Sequence, residues 1–277
     1  TRYQVLQEAS DIQQVCRKHV CVGLFVVEAS GASRAPALFS LAQCVCQPSG
    51  DGADLGQLRA DGPPLHDLRR ARPHCAEVLA LNARALRYFA RYFDHRFAFA
   101  KYDLVAIPDL PYRGMEHAGA TFLAEKDLFP ATPCPIARWG RAQLLFHECA
   151  HQWAGNLVTM RSFDDLWLKE GFANFMAYKL AARALPAALA EVAFHRLKVQ
   201  AYHTDESAGA TAVHHPLPDM AAAKSAYGAI VYAKAPALLR QLEFMVGEES
   251  FRSGVRGWIA RHAGGTAGGP DLIVGLQ

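Results

Sequence analysis

Two hydrophobic periodicities divide the chain into a strand-rich first part and a helical second part. Short apolar or alternating runs predict four strands, at residues 21–29, 39–46, 102–107 and 121–125. Helical spacing of apolar residues predicts a helix over residues 73–93. From residue 137 onward the same spacing predicts helix after helix, with breaks at Pro186 and at residues 216–218. Strands followed by helices are typical of the α+β class.

A stretch rich in proline and glycine, residues 47–64, predicts an exposed linker. We therefore expect a strand-rich N-terminal segment and linker over residues 1–70 and a second domain over residues 71–277. The glycine-rich residues 263–269 predict a loop or a frayed tail.

The composition predicts a globular protein without a membrane anchor. Of its 277 residues 51% are hydrophobic, which is enough for a substantial core. A formal net charge of +3, with dispersed arginines, does not predict nucleic-acid binding. The longest early apolar run, residues 20–27, is too short to cross a bilayer, and nothing near Thr1 has the order of a secretory signal. A leader removed before Thr1 is compatible with this pattern.

Seven cysteines form an odd set without a Cys-x-x-Cys pair. One of them, Cys149, lies inside the strongest motif of the chain, where a disulfide would disturb the neighbouring side chains. We interpret the cysteines as reduced thiols, which predicts a cytoplasmic location.

That motif is His147-Glu148-Cys149-Ala150-His151. On a helix, residues four apart project from one face, so His147 and His151 can bind one metal ion. Glu148 follows the first histidine and can take a proton from water at the metal without binding the metal itself. The spacing predicts a hydrolytic metal site.

Glu170 follows His151 after eighteen residues and lies in a segment, residues 165–175, with helical apolar spacing. A second helix can therefore bring Glu170 beside the histidines as a third ligand. Three such ligands suit one zinc ion and leave its fourth position open, as in catalytic sites. The plain alternative is surface charge on two amphipathic helices. Phe146 and Trp153 argue against it, because an unpaired imidazole among apolar neighbours is costly.

A second motif lies upstream, in Arg113-Gly114-Met115-Glu116-His117-Ala118-Gly119, and residues 164–173 and 229–235 supply two further blocks. In this order the four blocks resemble the zinc aminopeptidases related to aminopeptidase N and leukotriene hydrolase, a gluzincin family. The resemblance covers residues 78–262. It implies a thermolysin-like catalytic domain with a small β part followed by a mainly helical part, preceded by the end of a β-rich domain.

The resemblance also implies roles for residues outside the metal motif. Tyr232 would stabilise the reaction's oxyanion by donating a hydrogen bond, with Tyr227 as the weaker candidate. Glu116 would pair with the α-ammonium group of a substrate, a group that the middle of a peptide does not offer. Gly114 would let the substrate backbone approach closely, and Met115 would line an adaptable pocket.

Each of these roles has a structural alternative. Tyr232 could be a core tyrosine of a helix over residues 230–246, and Glu116 a solvated loop charge. The chain also departs from the family at three places: His117 replaces asparagine, Ala154 replaces an aromatic residue, and Ala235-Pro236 replaces a glycine after Lys234. His117 is an imidazole that titrates near neutrality, so we expect a stronger pH dependence of activity than in relatives. Asn174, one turn after Glu170, is expected to hydrogen-bond a metal ligand.

These observations predict a zinc-dependent aminopeptidase with one Zn²⁺ per chain, acting on peptides with a free N-terminus. We expect no nucleic-acid partner and no membrane span. Family members usually carry a β-rich domain before the catalytic domain and a helical domain after it. This chain is expected to be a fragment with at most the end of the first of these domains and none of the second. Two alternatives stay open: a zinc hydrolase of a non-peptide substrate such as an epoxide, and a truncated zinc-binding module without turnover.

Overall fold

The computed structural model describes residues 19–27, 38–46, 59–61, 68–107, 109–132, 134–208 and 210–276, with side chains from residue 74 onward. The predicted linker at residues 47–64 lies outside the described residues except for residues 59–61, which form a short strand. The chain divides into two compact units, residues 1–90 with 96–141, and residues 91–95 with 142–277.

The first unit is built on a six-stranded sheet in the order β3-β2-β1-β4-β6-β5. Its strands are β1 His19–Val27, β2 Leu38–Cys46, β3 Arg59–Asp61, β4 Lys101–Ile107, β5 Gly114–Met115 and β6 Ala120–Ala124. β4 runs parallel to both β1 and β6, and the other pairs are antiparallel. The four predicted strands are confirmed. The sheet contains strands from both sides of residue 70, where the domain boundary stays a prediction.

The first unit also contains most of α1 Leu68–Phe93, all of α2 Glu125–Leu128 and the start of α3 Pro135–His151. The predicted helix at residues 73–93 is thus confirmed and begins five residues earlier. Within the unit, the hydroxyl groups of Tyr102 and Thr121 lie 2.8 Å apart across β4 and β6. Buried Arg141 donates to the Leu128 carbonyl and forms an ion pair with Glu77.

The second unit is mainly helical, which agrees with the α+β class. After α3 come β7 Val158–Met160, a 3₁₀ helix Phe163–Leu168, α4 Glu170–Ala184, α5 Ala187–Asp205, α6 Met220–Ala226, a π-helical turn Ile230–Lys234, α7 Ala235–Val246, α8 Glu248–His262, β8 Gly265–Ala267 and α9 Gly269–Gly275. No described helix is long and apolar enough to cross a bilayer.

Aromatic side chains form the core of this unit. The ring of Phe172 on α4 lies 6.2 Å from Phe93 and 6.0 Å from Trp258 on α8, and Phe93 lies 5.7 Å from Trp153 (centroid distances). Each of these side chains is at most 1% exposed. Because large buried rings contribute much of the apolar area of a core, this cluster fixes α4 against α8 next to the end of α3.

Two predictions for this unit were wrong in part. Residues 263–269 are no frayed tail, because β8 pairs in parallel with β7. The segment before Glu170 is not continuous α-helix: it is a 3₁₀ helix, and α4 begins at Glu170 itself. Each place has a backbone hydrogen bond to a residue distant in sequence, which the local pattern does not show: Arg161 N–H donates to the Ala267 carbonyl at 2.9 Å, and His215 N–H to the Asp164 carbonyl at 3.3 Å.

Candidate metal centre

α3 carries the two histidines through the interior of the second unit. It begins at Pro135, whose missing N–H costs nothing at the first helical position. Its residues in the last turns before His151 are buried on nearly all sides, including Leu145, Phe146 and Ala150. His147 and His151 stand one turn apart with their ring planes at 88°, and their Nε2 atoms are 3.0 Å apart.

Glu170 completes the group from the first residue of α4. A carboxylate at a helix N-terminus is favoured by the helix dipole. Its Oε2 atom lies 3.4 Å from His147 Nε2 and 3.2 Å from His151 Nε2, and the residue is 3% exposed. The candidate ligand atoms of His147, His151 and Glu170 therefore all lie within 3.4 Å of one another.

The geometry of this triangle fits zinc. Ligand atoms at about 2.0–2.2 Å from a tetrahedral zinc ion lie about 3.3–3.6 Å from one another, so the observed separations need shifts of only about 0.3 Å. Two imidazoles and one carboxylate are also ligands that zinc prefers. Among the residues that the structure describes, no other group of three His, Cys, Asp or Glu side chains is arranged to hold an ion.

Glu170 is prepared to bind as a carboxylate. Burial by itself would raise its pKa. While the two histidines are protonated, the charge of His151, hydrogen bonds from both histidines and the charge of Lys169 hold the pKa of Glu170 well below its usual range. Lys169 Nζ lies 2.8 Å from Glu170 Oε1, the oxygen that does not face the histidines. The second oxygen remains directed at the metal position.

The tautomer of His151 is set by the turn that follows α3. Its Nδ1 lies 3.1 Å from the Ala154 carbonyl oxygen, which can only accept a hydrogen bond. Nδ1 must therefore carry the proton, and the Nε2 lone pair is left for a metal. Gly155, at φ +134°, makes this turn possible, because a β-carbon there would lie 3.3 Å from His151 Nδ1.

Two further residues of the motif are buried in α3. Glu148 is 4% exposed and directly follows His147. Complete burial raises the pKa of the Cys149 thiol well above its usual value, so this cysteine is an inert core residue and no nucleophile. In the described part of the chain Cys75, Cys134 and Cys149 are all free thiols, as predicted.

Tyr232 lies next to the candidate metal ligand His147. Its half-buried ring is 6.2 Å from the His147 ring, centroid to centroid. Tyr227 is 41% exposed, and its ring lies 6.3 Å from that of Tyr232. The helix predicted over residues 230–246 is interrupted, since Tyr232 occupies the π-helical turn and α7 starts only at Ala235.

Asn174 was predicted to hydrogen-bond a metal ligand, and its two hydrogen bonds go elsewhere. Its Nδ2 donates to the Tyr232 carbonyl at 2.7 Å, and its Oδ1 accepts from Gln143 Nε2 at 2.9 Å. Sequence reasoning missed Gln143 altogether. The sequence feature that could have identified Gln143 is its position one turn before His147 on the same helix.

The upstream motif belongs to the first unit. Gly114 and Met115 form β5, which pairs with β6, and Glu116 follows at 8% exposure. Glu116 is therefore buried and is no solvated loop charge. His117 is exposed, and its ring packs edge-on against Phe122 at 4.8 Å. That Gly114, Met115 and Glu116 bind substrate stays a prediction.

Comparison with known proteins relates this chain to peptidases. A profile of the Peptidase family M1 domain matches residues 78–277. The chain is 32% identical to aminopeptidase N of Streptomyces lividans over 216 residues, 74% of this chain and 25% of the relative. It is 32% identical to a leucyl aminopeptidase of Saccharolobus solfataricus over 199 residues, 70% of this chain and 25% of that enzyme. Endoplasmic reticulum aminopeptidase 2 of Homo sapiens is 29% identical over 211 residues, 76% of this chain and 22% of the relative.

The chain thus spans about a quarter of the length of the curated relatives it matches. The matched region contains all three members of the metal triangle as well as Tyr232 and Glu116. With a family profile that covers most of its residues, this chain belongs to peptidase family M1.

Proposed function

We propose that this chain is the catalytic domain of a zinc-dependent aminopeptidase. The observation that carries the proposal is the convergence of His147, His151 and Glu170 at zinc-ligand separations, with Tyr232 beside His147. A structural zinc site would need a fourth protein ligand, and this group has three.

When bound, zinc would lower the pKa of a water molecule and polarise the scissile carbonyl. Glu148 accepts the proton of the attacking water and passes it to the leaving amine, as a general base and then a general acid. Its position supports this role, because the carboxylate directly follows the candidate ligand His147 and is shielded from bulk solvent at 4% exposure.

The Tyr232 hydroxyl donates a hydrogen bond to the oxyanion that forms as water attacks the carbonyl. Its place next to a metal ligand supports this role over that of a core tyrosine. We assign Glu116 to the α-ammonium group of the substrate, with Gly114 and Met115 along the first residue of the peptide. Burial of Glu116 supports a binding role over that of a solvated loop charge.

The test uses amino-acid fluorogenic amides with free or acetylated N-termini, on zinc-loaded and chelator-treated protein. We expect chelator-sensitive cleavage of the free-amine substrates alone. Glu148→Gln should lower the rate by about 10²–10⁴-fold while one zinc per chain is retained. The matched control is Glu249→Gln, on a side chain that is 77% exposed, and it should behave as the wild type.

The other outcomes decide between the alternatives. Cleavage of acetylated substrates would overturn the role of Glu116 as amine anchor. Turnover of an epoxide without amide cleavage would identify a hydrolase of a different substrate. One bound zinc without any turnover would make the chain a non-catalytic zinc-binding module.

A further inference from the structure

Pro236 has no N–H group that could donate to the Tyr232 carbonyl. In a regular α-helix the N–H of residue 236 would donate to the carbonyl of residue 232, and proline has no N–H. Its ring would also collide with that carbonyl. The π-helical turn Ile230–Lys234 relieves this collision, and the Ala235 N–H donates to the Ile230 carbonyl five residues back.

Asn174 supplies the donor that Pro236 lacks. Its Nδ2 lies 2.7 Å from the Tyr232 carbonyl oxygen, and the residue is 6% exposed. Because a carbonyl can only accept, Asn174 must present its NH₂ group to Tyr232 and its oxygen to the other side. That oxygen accepts from Gln143 Nε2 at 2.9 Å, so the orientation of the amide is fixed from both ends.

This pair of amides connects Tyr232 to both helices of the metal centre. Gln143 stands four residues before His147 on α3, and Asn174 four residues after Glu170 on α4. A shift of the Tyr232 backbone relative to the ligands would therefore break a partly buried hydrogen bond, which is costly.

We propose that Asn174 is a positioning residue for Tyr232: it donates to the Tyr232 carbonyl, to which Pro236 cannot donate, and so holds the phenol at a fixed place relative to the candidate metal ligands. The proposal rests on the role of Tyr232 given above. A misplacement of about 1 Å in a catalytic group lowers rates by about 10²-fold. We therefore expect Asn174→Ala to lower kcat by about 10–100-fold, with KM within about twofold and zinc content unchanged.

The kinetic experiment includes a rescue. Pro236→Ala returns an N–H to residue 236, so Asn174→Ala combined with Pro236→Ala should regain most of the lost kcat, while Pro236→Ala alone stays near the wild type. Asn174→Asp keeps the shape of the side chain but offers the carbonyl no donor, and should lose as much as Asn174→Ala. Gln200→Ala, an exposed helical amide, is the control without effect.

A second readout is independent of turnover. Tyr232-Ala233 is the only Tyr-Ala pair in the sequence, so protein with carbonyl-¹³C tyrosine and ¹⁵N alanine gives a single correlation that reports the Tyr232 carbonyl. Loss of the Asn174 hydrogen bond should move this carbonyl resonance upfield. Addition of Pro236→Ala should move it back.

The results separate the two proposals. An unchanged carbonyl resonance in Asn174→Ala would overturn the hydrogen bond. A shifted resonance with unchanged kcat, alongside a large loss in Tyr232→Phe, would overturn the positioning role alone. Wild-type kcat in Tyr232→Phe would overturn the oxyanion role of Tyr232 and the positioning role with it. Absence of turnover by the wild type would overturn the proposed function.

Discussion

Gly171 and Ala235 are so close that a β-carbon on residue 171 would lie 2.5 Å from the β-carbon of Ala235. The same β-carbon would lie 2.9 Å from the Val231 carbonyl oxygen. Gly171 directly follows the third metal ligand, so the absence of a side chain here lets the π-helical turn pack against the start of α4. This contact sets the distance between Glu170 and the segment that carries Tyr232.

We predict that Gly171→Ala lowers the free energy of unfolding by about 1–3 kcal/mol, the usual cost of an overpacked contact. It should also lower kcat, because the π-helical turn must move away from α4. Urea unfolding and steady-state kinetics measure the two effects.

Gly257→Ala is the matched control for this change. Gly257 lies inside α8, where a β-carbon would meet only the flexible end of Arg261 at 3.5 Å. Alanine should stabilise this helix by about 0.5–1 kcal/mol. Equal effects at positions 171 and 257 would contradict the close contact with Ala235.

The turn after α3 yields a second prediction. Gly155→Ala would force a β-carbon into a residue with φ +134° and to 3.3 Å from His151 Nδ1. Displacement of that turn weakens the hydrogen bond that orients His151. We expect zinc affinity to fall by about 10–100-fold, as for other losses of a partner to a metal-binding histidine.

Competition with a zinc indicator measures this affinity. Gly247→Ala is the control, since Gly247 also has a positive φ, +87°, but no atom lies within 4 Å of its added β-carbon. It should cost stability, by about 1–2 kcal/mol, and leave zinc affinity as it was. Unchanged zinc affinity in Gly155→Ala would mean that the turn does not hold His151.

The proximity of the two candidate histidine ligands could be predicted from the sequence because it depends on local geometry. Helical spacing places His147 and His151 on one face whatever the rest of the chain does. The course of the chain from His151 to Glu170 could not be predicted, because it depends on β8, which pairs with β7 more than a hundred residues away. The partners of Asn174 were missed for a related reason, since its spacing from Glu170 fixes its height on α4 but not the helix that it faces.

A third prediction concerns acid stability. Glu248 at the start of α8 accepts from Lys179 Nζ at 2.9 Å and from Arg183 Nη2 at 2.6 Å. The hydrogen bond from Lys179 exceeds the opposing effect of burial, and with the charges of Lys179 and Arg183 it lowers the pKa of Glu248 below its ordinary 4.5. A carboxyl group with a lowered pKa in the folded state stabilises the fold above pH 4.5, and this stabilisation is lost as the pH falls below 4.5.

Glu248→Gln should therefore be less stable than the wild type at pH 7 by at most about 1 kcal/mol, because the group is partly exposed. The difference should shrink as the pH falls below 4.5. Thermal unfolding of both proteins across this pH range is the measurement. A difference that grows in acid would refute the ion pairs as its cause.

The described cysteines give a fourth prediction. Burial raises the pKa of the Cys149 thiol, whereas Cys134 is exposed before α3. Iodoacetamide at neutral pH should modify Cys134 well before Cys149 in the folded protein, as read by mass spectrometry of the peptides. Unfolded protein, in which both react, is the control. Equal rates in the folded state would show that α3 opens readily.

The pairing of β8 with β7 holds the segment that connects His151 to Glu170, the third candidate ligand. Eighteen residues separate His151 from Glu170, and closing a free loop of that length costs about 2–3 kcal/mol of chain entropy. Here the loop is held at three points, by Gly264 N–H to the Leu157 carbonyl, by Arg161 N–H to the Ala267 carbonyl and by Gly269 N–H to Asp165. This chain entropy is therefore lost when the protein folds and not when it binds zinc. In this way β8 would strengthen metal binding without contacting the metal.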